Sequence, residues 1–128
     1  MQLQVVDGLP FISVRAVYQG AEIDIAPVLI DTGSAETSLS IDALTQLGIE
    51  PRLDDEIHFI RGVGGRELVF VRQLDELQVG PQKLAPFVVQ ISGMDYGFEI
   101  EGILGMDFMR RSGAVIDLYR MQIEFAGR

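Results

Sequence analysis

The 128-residue sequence predicts one all-β domain with a β-hairpin and one or two short helices. Three observations lead there. Strand-length runs of alternating side-chain character recur along the chain, glycine-bearing turns separate them, and only two stretches carry helical patterning. The length leaves room for a single domain over residues 1–128, and a 48% hydrophobic content supplies its core.

The elements follow in order. Phe11 to Tyr18 alternates, Gln19-Gly20 offers a turn, and Ala21 to Ile25 returns. Pro27 then precedes the apolar run Val28-Leu29-Ile30, which ends in Asp31-Thr32-Gly33-Ser34. Ser40 before Ile41, Leu44 and Leu47, with Gly48 closing, reads as a short capped helix. Glu56 to Arg61 and Arg66 to Arg72 flank Gly62-Val63-Gly64-Gly65, the expected tip of a glycine-rich hairpin. Leu74 to Val79 and Leu84 to Ile91 form strands around Gly80-Pro81, and Ser92 to Glu99 is a polar loop. Ile103-Leu104-Gly105 leads into a helix over Met106 to Arg111. Ala114 to Leu118 and Met121 to Phe125 make a last hairpin.

Charge and composition remove several function classes. A formal charge of −9 argues against a nucleic-acid partner, because phosphate contacts need clustered Lys and Arg. The adjacent Arg110 and Arg111 fall late in a helix, where cations complement its dipole. No apolar run reaches membrane-spanning length and the N-terminus lacks signal-peptide character, so the expectation is a cytoplasmic chain with no membrane partner, standing alone or as a domain of a longer protein. There is no cysteine, and His58 is the only histidine, placed by alternation on the solvent side of a strand. The expectation is therefore no metal, no cofactor and no Ser-His or Cys-His nucleophile.

The remaining chemistry is concentrated at Asp31. A carboxylate at the end of a buried strand, beside the small hydroxyl of Thr32 and a glycine without a Cβ, suits acid–base work on a close-lying polypeptide. Alone, Asp-Thr-Gly also serves as an ordinary turn closing a strand. Here it is followed, in order, by the glycine-rich hairpin and by Ile103-Leu104-Gly105.

With those three motifs the chain resembles the retropepsins, the retroviral-type aspartic proteases, over about Val28 to Phe125. The details are closer to cellular, bacterial or retrotransposon single-domain members than to viral ones. The resemblance implies a small closed, barrel-like acid-protease fold, an endopeptidase activity on polypeptide substrates, and a homodimer, since one chain carries one Asp-Thr-Gly. Two Asp31 carboxylates facing each other would share a proton, one acting as base on a water and the other as acid. Thr32 and Gly33 would complete the catalytic loop, with Ser34, Ile103, Leu104 and Gly105 supporting it. Arg61, Gly62, Val63, Gly64 and Gly65 would form a flap that opens and closes over substrate. Leu29, Ile60, Val63 and Ile103 would line apolar pockets, and Ser38 would make one pocket more polar or roomier.

The chain also departs from the viral pattern. Ala35 and Met106 stand where viral enzymes place an ion pair that helps to fix the dimer, so contacts through Thr32, the flap tips and terminal strands are expected instead. Ser34 is either a donor to the dyad, favouring its charged form and a more acidic optimum, or a turn residue. A charge of −9 per chain opposes association at neutral pH. The alternative reading is a catalytically silent peptide-binding or dimerisation module of the same fold.

Overall fold

The computed structural model describes residues 1–62 and 65–126, with the side chains of 58–62 and 65–67 left out of the description. The strands in chain order are β1 (Gln4–Val6), β2 (Leu9–Tyr18), β3 (Ala21–Ile30), β4 (Ser38–Ser40), β5 (Glu56–Gly62), β6 (Gly65–Leu74), β7 (Glu76–Val79), β8 (Gln82–Leu84), β9 (Phe87–Ser92), β10 (Gly102–Leu104), β11 (Ala114–Asp117) and β12 (Gln122–Phe125). Helix α1 (Ile41–Thr45) follows β4, and α2 (Met106–Ser112) follows β10. Ten strands make one sheet in the order β5-β6-β9-β4-β10-β3-β2-β7-β8, with β1 on β2, while β11 and β12 form a separate hairpin. The all-β class is as expected, and among the described residues the end strands β5 and β8 share no ladder.

Alternation sorts the side chains between the two faces of the sheet. Ile12, Val14, Ala16 and Tyr18 of β2, Ile25, Val28 and Ile30 of β3, and Phe87, Val89 and Ile91 of β9 enter one apolar cluster. Leu44 of α1 and Phe108 of α2 cover it, both fully buried. Phe108 packs edge-on against Phe87 at 5.5 Å between ring centroids, the geometry that aromatic quadrupoles favour.

Local signals account for most element ends. The Ser40 side chain accepts Ala43 N–H at 3.0 Å and caps α1, as its position before the apolar run predicts. α2 stops at Gly113, whose φ of 64° is the left-handed cap that glycine adopts without strain. Two elements differ from expectation. β3 runs unbroken through Pro27, because the β2–β3 register shifts between Ile12 and Val14 and the ladder makes no demand on the missing proline N–H there. β1 was not anticipated: Asp7 and Gly8, both at positive φ, turn it onto β2 with Val6 opposite Leu9.

The N-terminus is tied within the chain. Met1 N donates to Ile123 O at 2.8 Å, and Leu3 N donates to Met121 O at 2.8 Å. These bonds occupy the edge of β12 that does not face β11. No helix among the described residues is long and apolar enough to cross a membrane.

Candidate active site

Three segments converge on the loop that carries Asp31. β10 inserts between β3, to which it is parallel, and β4, to which it is antiparallel, pairing Leu29 with Ile103 and Ile30 with Leu104. The ladder continues one step past β3, where Asp31 N donates to Leu104 O at 3.1 Å. The Asp31 backbone is therefore held by a buried central strand, while the residues after it leave the sheet. Leu29 and Ile103, half-buried partners, lie on the face that Asp31 extends.

The carboxylate is oriented from below. Gly33 N donates to Asp31 Oδ1 at 2.9 Å, and Ser34 N closes the turn on Asp31 O at 3.2 Å. A Cβ at position 33 would lie 3.2 Å from that Oδ1, so glycine is what lets the amide approach so closely. Asp31 is half-buried, and Thr32 and Gly33 are exposed on the protomer. The Ser34 hydroxyl donates to Glu36 O at 2.8 Å, on the turn. Hydroxyl bonds of this kind to a backbone carbonyl two residues on are local turn contacts.

A buried polar cluster fixes the loop to α2. Met106 N donates to Ser34 O at 2.8 Å and Asp107 N to Ala35 O at 3.0 Å. Asp107 in turn accepts from Thr37 N and from Thr37 Oγ1, and Thr37 Oγ1 accepts from Gly105 N at 3.1 Å. Gly105 has no room for a side chain, since a Cβ would meet Glu36 O at 2.5 Å. The chain thus brings its loop and helix together through a threonine and an aspartate. Nothing in the local sequence marks Thr37. Asp107 could have been suspected only from its place two residues after Gly105.

Ser38 does not open a pocket. It is 6% exposed, and its hydroxyl donates to Gln90 Oε1 at 3.2 Å, while Gln90 Nε2 donates to the Glu36 carboxylate. All three β4 residues are buried between β10 and β9, so the serine faces the interior and satisfies a buried amide.

The glycine-rich hairpin is present as β5 and β6, paired from Glu56 with Val71 up to Gly62 with Gly65. Val63 and Gly64, expected at its tip, lie outside the described residues, as do the side chains of Ile60, Arg61 and His58. Its base is clamped. Arg72 of β6, 9% exposed, donates to Asp55 Oδ1 at 2.6 Å and to Glu50 O at 3.0 Å. Burial pushes the Asp55 carboxyl up, but the Arg52 N–H and the Arg72 guanidinium outweigh it and hold Asp55 below the ordinary carboxylate range.

The family described as "gag-polyprotein putative aspartyl protease" matches residues 22–111, which include Asp31, the hairpin and Gly105. Among solved structures, a retropepsin-like aspartic protease from Rickettsia conorii superposes with a TM-score of 0.67 at 18% identity, over 91% of this chain and 82% of that one. At that identity the likeness concerns the fold. No curated protein matches the chain.

Proposed function

The chain belongs to the gag-polyprotein aspartyl protease family, and we propose that it is an aspartic endopeptidase whose active site is completed by a second copy of itself. One observation carries this reading. Asp31 is held by the central ladder with its carboxylate set by Gly33 N–H, on a loop whose Thr32 and Gly33 are exposed, and each chain offers one such loop.

Two loops related by a two-fold axis bring the Asp31 carboxylates together. Like charges so close retain one proton between them. The ionised carboxylate takes a proton from the water as it attacks the scissile carbonyl carbon. The protonated one donates to the carbonyl oxygen, giving a neutral tetrahedral gem-diol. Collapse then breaks the C–N bond, with a proton delivered to the leaving amine. Thr32 of each copy ties the loops across the axis, and the β5–β6 hairpin acts as the flap. Leu29 and Ile103 beside Asp31 favour apolar side chains next to the cut bond. With Met1–Leu3 paired inside the chain, the outer edge of β11, unpaired among the described residues, is one strand edge open to further contact between copies.

The test is cleavage of a mixed peptide library, read by mass spectrometry from about pH 4 to 7.5, by the native chain and by Asp31→Asn. Cuts between apolar residues that vanish in the variant support the peptidase. A confirmed dimer that binds peptides and cuts none at any pH replaces it with a silent binding module.

A further inference from the structure

A groove of about 470 Å³ lies on the face of the sheet away from the central apolar cluster. Its walls include Leu9, Phe11, Pro27 and Phe98, and Asp7 and Glu99 stand among them. Phe11 is 3% exposed yet does not belong to the central cluster, which takes Ile12, Val14 and Ala16 from the same strand. The register pairs Phe11 with Leu29, so Pro27, Leu29 and Phe11 share this second face. Phe11 is level with Leu29, two residues before Asp31, and Pro27 lies four before it, which places these walls about 7 to 13 Å along the strand from Asp31. An extended polypeptide centred on Asp31 covers that span with the side chains about two to four residues from its cut bond.

The two carboxylates are free to act on a ligand. Asp7 and Glu99 are exposed, and neither has an ion-pair or hydrogen-bond partner among the described residues. Asp7 is held in place by its turn, with φ of 52° followed by Gly8 at 79° between paired Val6 and Leu9. Phe98 is 47% exposed and Leu9 is 41% exposed, apolar surface that gains from being covered. A long aliphatic stem ending in a cation meets both demands, burying its methylenes on the aromatic walls and leaving its charge beside the acids.

We propose that this groove is a specificity site for lysine or arginine in the substrate, two to four residues from the cut bond. The site deepens the peptidase reading and rests on it for the term substrate, while its binding chemistry stands on the groove alone. Asp7 and Glu99 are specificity residues, remote from the reacting atoms. Their preference is electrostatic at an exposed rim, so it weakens as salt is added.

The test uses full-length Asp31→Asn, which binds without cutting, and two apolar peptides that differ only in Lys or norleucine three residues from the central bond. Calorimetry is expected to show the lysine peptide binding about fivefold tighter at low salt. That preference is expected to disappear in the added pair Asp7→Asn and Glu99→Gln, with norleucine-peptide binding unchanged. Asparagine tolerates the positive φ at position 7, so the turn survives. Equal affinity for the two peptides, binding of neither, or a preference that persists in the acid-neutralised variant overturns the proposal. Cleavage by the native chain is measured in parallel: a lysine preference without cleavage sinks the peptidase and leaves the groove assignment standing. Cleavage without the preference does the reverse.

Discussion

Thr37 and Asp107, 70 positions apart, meet in a two-point contact: Asp107 Oδ2 accepts Thr37 N at 3.1 Å and Asp107 Oδ1 accepts Thr37 Oγ1 at 2.7 Å. The same hydroxyl accepts Gly105 N, so one buried side chain joins the segment after Asp31 to the start of α2. Thr37 is fully buried, and its bonds form away from competing water.

Thr37→Val keeps the shape and removes the hydroxyl, leaving Gly105 N–H and an Asp107 oxygen without that partner. The expected loss is about 2 to 3 kcal/mol, read by chemical denaturation. Thr37→Ser restores most of it. Because the contact holds the loop that carries Asp31, the valine variant is also expected to lose kcat more than KM rises.

Gly105→Ala tests close packing where no side chain can yield. The new Cβ meets backbone atoms of Glu36, so the expected cost is about 3 kcal/mol by thermal unfolding. Gly93→Ala, with nothing within 4 Å of the new carbon, is the matched control and is expected to change stability by less than about 0.5 kcal/mol.

The Arg72–Asp55 pair makes part of the stability acid-sensitive. Asp55 titrates below its unfolded value, so its contribution is present above the usual carboxylate range, near pH 3.9, and is lost as pH falls through the lowered folded value. Asp55→Asn is expected to flatten the fall of stability below about pH 4, as followed by urea denaturation at a series of pH values. Removing Asp55 as Ala at neutral pH strands the buried guanidinium and is expected to cost about 3 to 5 kcal/mol. Arg72→Met with Asp55→Leu recovers much of that loss.

Association between copies is expected to tighten on acidification. Each chain carries −9, a dimer −18 (twice −9), and protonating carboxylates relieves the repulsion. Sedimentation at pH 5 and pH 7.5 is expected to show more dimer at the lower pH, and added salt to narrow the gap (about 8 Å screening length at 0.15 M). Equal, tight dimer at both pH values contradicts this.

Short-range signals carried most of what could be read from the chain. The Ser40 cap, the Gly113 stop, the strand entering Asp31 and the Ile103-Leu104-Gly105 motif are each written within a few residues, and local rules suffice for them. The contacts that set the loop are of another kind. Thr37 with Asp107, and Ser38 with Gln90 and Glu36, join residues far apart in sequence, and no spacing encodes their meeting. That β3 continues through Pro27 is not written around the proline, because the register shift that accommodates it belongs to β2. Ser34 donates to a backbone carbonyl two residues on, a contact that its residue type allows but does not single out. β1 is three exposed residues with no apolar alternation, and its position follows from the Asp7-Gly8 turn and the distant bonds to residues 121 and 123.

The central claim is that one active site draws an Asp31 from each of two copies. Mixing native chain with Asp31→Asn at constant total concentration, and allowing the copies to exchange, tests it most directly. Shared sites predict that activity falls as the square of the native fraction, to about a quarter at equal parts. A fall in simple proportion to the native chain would show that each copy works alone, and would contradict the account.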